Sequence, residues 1–174
     1  MAKKESWILF GEGKSEAVFL QHLRDIYLGN SHPVVCKVKA GSGGSPRQVV
    51  NALIKRHLQI GAYNRALVLL DQDRGTDEIP NTWLRKHNIT LVVSKPVFLE
   101  GMLLNLLGER LQHGRACTAQ QAKSQFRSAV LDTDQGSQIQ KRFRQKLPEA
   151  LPRTVLDYAR NQAESLQEIL NWLQ

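Results

Sequence analysis

The chain predicts an α/β fold: a mostly parallel four-stranded sheet flanked by helices, followed by a helical C-terminal extension. Three observations predict it. Short apolar runs alternate with segments of helical spacing four times over in the first part of the chain. Two of the runs, Trp7-Ile8-Leu9-Phe10 and Leu67-Val68-Leu69-Leu70, are continuously apolar, as expected of strands covered by helices on both faces. An acidic residue stands just past each of these two, Glu12 after the first and Asp71-Gln72-Asp73 after the second.

The elements follow in order. Ser6 to Phe10 reads as a strand ending in Gly11-Glu12-Gly13, and Phe19, Leu20, Leu23, Ile26 and Tyr27 then share one face of a helix that Gly29-Asn30 stops. Pro33 to Val38 is a second strand, leading into a Gly41-Ser42-Gly43-Gly44 loop. Ser45 and Pro46 supply N-cap and first-turn chemistry for a helix with Val49, Val50, Leu53, Ile54 and His57 at helical spacing, ended by Gly61. Ala66 to Leu70 is the strand expected at the centre of the sheet. Pro80 opens a short helix through Trp83 and Leu84, and Asn88 leads into a fourth strand, Ile89 to Val93. After Ser94 the strand signal disappears. Leu99 to Leu107 is a helix stopped by Gly108, Thr118 and Gln121 make a capping box for a helix carrying Phe126 and Val130, and Ile139, Phe143 and Leu147 mark another. Pro152 starts what reads as one long last helix with Tyr158, Ala163, Leu166, Ile169 and Leu173 on its packed face.

At 174 residues, 41% of them hydrophobic, one well-buried core is expected. A formal net charge of +8 favours polyanionic partners such as RNA or DNA. Cys36 and Cys117 are too few for a disulfide framework or a zinc site and read as free thiols. Lys3 and Lys4 precede only four apolar residues, short of a signal-peptide core, and no run is long enough to cross a bilayer, so a cytoplasmic protein without a membrane partner is expected.

The acidic residues carry the functional reading. In a parallel sheet the carboxyl ends of the strands line one edge, so Glu12, Asp71 and Asp73 converge there on one crevice. Carboxylates gathered in this way repel each other unless a cation joins them, and an oxygen-only ligand set suits Mg²⁺ or Mn²⁺ over zinc. Glycines on both sides of Glu12 allow close backbone approach by a ligand. Glu16 sits in a first helical turn, where a carboxylate meets the macrodipole favourably, and a metal role is its alternative. Asp132-Thr133-Asp134 reads as an exposed loop, His57 as a core residue, and His22, His32, His87 and His113 lack metal-ligand spacing. Gly13-Lys14-Ser15 resembles the end of a phosphate-binding loop, but Ile8 stands where that motif needs its first glycine. A receiver-type phosphoacceptor domain, with Asp71 as acceptor, would bring an acidic pair after its first strand, where this chain has Glu12 alone.

A glutamate after the first strand and Asp-x-Asp after the third resemble the Toprim superfamily of topoisomerases, primases and nucleases, over roughly the first hundred residues. Within that superfamily Phe10-Gly11-Glu12-Gly13-Lys14-Ser15-Glu16, Leu69-Leu70-Asp71-Gln72-Asp73 and Ser94-Lys95-Pro96-Val97-Phe98-Leu99-Glu100-Gly101-Met102-Leu103-Leu104 look most like the small RloB-type proteins, related to the nuclease half of the overcoming-lysogenization-defect family and associated with phage defence. The RloB-type pattern runs Asn-Pro-x-Phe-Glu, whereas this chain has Lys95 for the Asn and an extra Leu99 before Glu100.

The resemblance implies a Toprim-like (Rossmann-like) catalytic core over residues 1–108, with residues 109–174 as a helical extension packed on it within a single domain. It implies Glu12, Asp71 and Asp73 as metal-binding and catalytic carboxylates, Glu100 as a ligand of a second metal, and Lys95 as a stabiliser of the pentacoordinate charge. Lys14, Arg47 and the cluster Lys141, Arg142, Arg144 and Lys146 are the candidate nucleic-acid contacts. The expected function is Mg²⁺- or Mn²⁺-dependent phosphodiester hydrolysis of RNA or DNA in antiviral defence, together with an ATPase partner, since the chain has no nucleotide-hydrolysis motif of its own. The alternative is a catalytically idle Toprim module that binds nucleic acid or a partner protein. A topoisomerase would need a separate tyrosine-bearing domain, and the zinc module usual in such primases is absent.

Overall fold

The computed structural model describes residues 5–29, 32–61, 63–72, 75–112, 117–131 and 138–174. Asp73, His113 and the Asp132-Thr133-Asp134 loop lie outside the described residues.

Four strands, β1 (Ser6–Gly11), β2 (Val35–Ala40), β3 (Arg65–Asp71) and β4 (Ile89–Ser94), form one sheet in the order β2-β1-β3-β4. All three pairings are parallel, with Phe10 opposite Lys39 and Val68, and Asp71 opposite Ser94. The α/β fold with a parallel sheet is therefore the observed one. Side chains alternate across a strand, so each interior strand feeds two cores. Trp7, Leu9, Leu67, Leu69 and Val92 face one cluster, whereas Ile8, Phe10, Ala66, Val68 and Leu70 face the other. This double burial is why β1 and β3 read as unbroken apolar runs. The edge strand β2, covered far less, keeps Lys37 and Lys39 exposed.

Helices α1 (Lys14–Tyr27), α2 (Pro46–Leu53), α3 (Asn81–Lys86) and α4 (Leu99–Leu106) belong to the strand-alternating half. α2 continues through a π-helical turn, Ile54–Leu58, and is capped by Ser45, whose Oγ accepts from the Gln48 N–H at 3.3 Å, with Pro46 in the first turn. His57 rests half-buried between Phe10 and Tyr63.

The later half contributes α5 (Ala119–Phe126), α6 (Ile139–Ala150), α7 (Arg153–Ala159) and α8 (Glu164–Leu173). The capping box expected at α5 is present: Thr118 Oγ1 accepts from Gln121 N–H at 3.3 Å, and Thr118 N–H donates to Gln121 Oε1 at 2.8 Å. Phe143, Leu147, Leu156, Leu166, Ile169, Leu170 and Trp172 lie in the same buried cluster as Leu9, Phe19, Leu20, Leu23 and Met102. Polar ties reinforce the packing. His22 Nε2 donates to Leu151 O at 2.8 Å, and Tyr27 Oη donates to Asp157 Oδ1 at 2.7 Å.

The single long helix expected after Pro152 is instead two helices, α7 and α8. One straight helix could not bury Leu156 against α4 and also bring Ser165 to the edge of the sheet. The break lets Ser165 Oγ donate to Val93 O at 2.7 Å and accept from Lys95 N–H at 3.2 Å, so α8 closes the flank of β4.

Candidate functional site

Chain connectivity reverses direction between β1 and β3: β2 lies on one side of β1, and β3 and β4 lie on the other. A crevice opens outside the carboxyl ends of the strands at such a switch point. Glu12 follows β1 and Asp71 ends β3 at this place. Glu12 N–H donates to Leu69 O at 3.0 Å, which prolongs the β1–β3 ladder, and Glu12 Oε2 accepts from Asp71 N–H at 3.2 Å. The first carboxylate is thus held against the end of the third strand.

Glycines make this geometry possible. A Cβ on Gly11 would stand 2.5 Å from Ala17 N and 2.7 Å from Glu16 Cβ, so only glycine lets α1 start directly over the strand end. From the other side the Gly41 N–H donates to Gly11 O at 2.8 Å and the Gly43 N–H to Glu12 O at 3.0 Å, folding the glycine loop against the β1 turn.

Asp71 is fixed by the opposite wall. Its Oδ1 accepts from Ser94 Oγ at 2.8 Å and from the Leu99 N–H at 2.9 Å. The second donor is the first residue of α4, where backbone N–H groups lack helical partners and favour a carboxylate. Gln72 ties the strand end to the same turn: its N–H donates to Val97 O at 3.0 Å, and its Oε1 accepts from Val97 N–H at 3.2 Å. The extra residue Leu99 thereby starts the helix, its side chain is buried, and Glu100 still faces the crevice.

A cavity of about 220 Å³ results, lined by Glu12, Glu16, Asp71 and Glu100 together with Lys14 and Lys123. Glu16 is 7% exposed, and its Oε2 accepts from Gly13 N–H at 2.8 Å in the reciprocal cap of α1. Burial, and then the negative charge of Asp71, push its carboxyl up from 4.5 to about 7. Glu100, also 7% exposed, is raised first by burial and further by Asp71, against the pull of Lys123 and Arg127. Its Oε2 has no hydrogen-bond partner among the described residues.

Glu16 also ties stability to pH. A folded-state carboxyl that titrates above its unfolded value binds more protons than the unfolded chain between about pH 4.5 and 7, so its contribution is fully present below that window and is lost as pH rises through it. In metal-free buffer Glu16→Gln, which keeps the capping box, is expected to melt close to wild type near pH 4.5 and several degrees higher at pH 8. Thermal melts across that range check it; equal melting temperatures at pH 8 would contradict the burial argument.

The residues expected from the sequence separate into groups. Glu12, Asp71 and Glu100 come together, and Lys14 stands at their rim. Lys95 does not join them: its Nζ donates to Glu164 at 2.7 Å on the α8 side, because α8 docks beside β4. Arg47 lies on α2 with its guanidinium 5.3 Å from the centre of the Trp83 ring, outside the crevice wall. On α6, Arg144 lines a second groove of about 210 Å³ with Lys14 and Lys39, next to the crevice. Lys141 and Arg142 are exposed, while Lys146 pairs with Glu149 at 3.5 Å beside Leu107 and Val130. Sequence reasoning missed Lys39 and Lys123. Lys39 sits on an edge strand whose pairing partner was unknown, and a lone lysine on an amphipathic helix such as α5 reads as solvated surface.

The residues present suit a hard divalent cation. The donors facing the cavity are oxygens, one buried carboxylate oxygen lacks a partner, and the raised Glu16 and Glu100 carboxyls register the mutual repulsion that a cation would relieve. Among the described residues no group of three or more His, Cys, Asp and Glu side chains stands ready to hold one ion. Mg²⁺ needs no such cage, since it keeps several waters and takes one or two carboxylates along with substrate phosphates. No helix of the described residues is long and apolar enough to cross a membrane. No family model, curated protein or solved structure gives a significant match to the chain.

Proposed function

We propose that the chain is a Toprim-type, Mg²⁺- or Mn²⁺-dependent phosphodiesterase acting on RNA or DNA, of the RloB-like kind, serving antiviral defence beside an ATPase partner. The observation that carries this reading is the meeting of Glu12, Asp71 and Glu100, from β1, β3 and α4, in one cavity at the switch point of the sheet. Glu12 and Asp71 would hold the ion, with Glu100 and, beyond the described residues, Asp73 as further ligands. When bound, the ion supplies charge neutralisation at the phosphate and lowers the pKa of an attacking water. The chain's own part is positioning: Ser94 and the start of α4 fix Asp71, and the Asp71 N–H fixes Glu12. Lys14 and Lys123 offset the carboxylates at the rim, so that a polyanion can approach a site otherwise repulsive to it.

The direct test is a titration of the purified chain with Mn²⁺, followed by incubation with single-stranded RNA, transfer RNA and DNA. Micromolar to millimolar binding and cleavage that chelator abolishes are expected; no Mn²⁺ uptake would end the proposal. The catalytically idle binding module is the rival that one observation favours, the pairing of Lys95 with Glu164 outside the crevice. It would bind nucleic acid and cut none, with or without the partner.

The groove of Lys14, Lys39 and Arg144 gives the track beside the crevice. Converting all three to alanine is expected to weaken nucleic-acid binding and to reduce the slope of log affinity against log salt by about 0.7–0.9 for each phosphate that the variant no longer neutralises. Fluorescence anisotropy at several salt concentrations reads this. An unchanged slope would remove the groove from the binding path.

A further inference from the structure

We propose that the cavity behind Glu100 is a nucleobase pocket, taking an amino-bearing base whose phosphate lies in the carboxylate crevice. The phosphate half of this statement rests on the function proposed above; the base half stands on the cavity itself. A space of about 240 Å³ lies between α4, α5 and α6, with Leu103, Phe126 and Phe143 among its walls. The two phenyl rings meet edge to face, centroids 5.4 Å apart, and form a firm apolar surface. Ser15, Glu100 and Lys123 line both this cavity and the crevice, so the two share one wall.

The polar atoms of the pocket are unusual. Glu100 Oε2 and Gln140 Oε1 are both buried, and neither has a hydrogen-bond partner among the described residues. The Gln140 amide is oriented by its Nε2, which donates to Ser15 Oγ at 3.1 Å and leaves the oxygen as the remaining group. Buried acceptors are normally satisfied, so a pair of unmet ones on an apolar cavity specifies a ligand with N–H donors. Lys123 and Arg127, on the same wall, add positive charge that suits an anionic group attached to that ligand.

A nucleotide carries both features. Its base offers flat apolar faces to Leu103 and the two phenylalanines, and its edge offers N–H groups to the two oxygens. Adenine, cytosine and guanine have exocyclic amino groups. Uracil presents one N–H flanked by two carbonyls, which the unmet acceptors would repel. The volume is below that of pockets for drug-sized ligands and suits a single base, so the pocket reads one nucleotide beside the crevice.

Calorimetric titration of the full chain with AMP, GMP, CMP, UMP and ribose 5-phosphate tests this. At least one amino-bearing nucleotide is expected to bind about tenfold or more tightly than UMP and ribose 5-phosphate. Gln140→Leu should erase about tenfold of that preference and leave ribose 5-phosphate unchanged. Gln140→Met repeats the comparison with an unbranched side chain if the leucine variant melts early. Equal binding of ribose 5-phosphate and all four nucleotides, no nucleotide binding at all, or an undiminished preference in a folded Gln140 variant would overturn the pocket. Mn²⁺ titration of the same samples separates the two proposals. Mn²⁺ uptake without base discrimination removes the pocket alone, and base discrimination without Mn²⁺ uptake removes the metal site alone.

Discussion

Asp71→Asn is expected to lower metal-dependent cleavage on the order of 10³-fold while the protein stays folded. The asparagine oxygen can still accept from Ser94 Oγ and the Leu99 N–H, the two donors that hold Asp71 Oδ1, so the β3–β4 end and the start of α4 keep their hydrogen bonds. What disappears is the negative charge at the centre of the crevice. Asp71→Ala would instead strand a buried hydroxyl and a helix N–H, and mix a stability loss into the kinetic one. A second readout of the asparagine variant does not depend on activity. The Asp71 charge is one of the causes that push the Glu16 carboxyl up to about 7, so its removal should bring that carboxyl down toward its ordinary value. Carbon-detected NMR titration of the glutamate side chains measures this. Cleavage within a few-fold of wild type would take Asp71 out of the reaction, and an unmoved Glu16 would show that the two carboxylates do not share a field.

The largest stability effect is expected at Gly11. A methyl group there meets Ala17 N at 2.5 Å, Glu16 Cβ at 2.7 Å and Glu16 C at 2.9 Å, two of them backbone atoms in the first turns of α1 that no rotamer change can move. Gly11→Ala must therefore displace the helix from the strand end. Overpacking of this kind costs about 3 kcal/mol, a fall in melting temperature on the order of 10 °C for a chain of this size. The damage extends to function, because the same displacement moves Glu12 and Glu16, which flank the glycine turn. Thermal melting and Mn²⁺ titration of the variant together check it. A melt within about 2 °C of wild type would show that the turn is not under the constraint described.

Much of the architecture was legible in the chain, for local reasons. β1 and β3 announced themselves because both their faces are buried, which forces a run of apolar residues with no polar alternate positions. Ser45 with Gln48 and Thr118 with Gln121 were legible because a cap joins residues three apart. The break between α7 and α8 was not, since it answers to Ser165 reaching a carbonyl of β4, a demand made across the fold. Glu12 and Asp71 could be paired from their places after apolar strands. Lys123 could not, because nothing near it in the chain says that α5 leans over the start of α4 and turns one lysine into the crevice. Lys95 went the other way, from crevice candidate to partner of Glu164, once α8 had docked.

The sequence by itself determined the alternation of strands and helices, the double-sided burial of the two inner strands, and the acidic residues at their ends, because each depends on the period of a single element or on its immediate neighbours. The tertiary structure decided the strand order that sets Glu12 beside Asp71, the carboxylates and lysines that meet at that edge, and the cavity behind Glu100. Such meetings join residues far apart along the chain, and their energies are set by packing and by charges in a shared low-dielectric space, which no local pattern records.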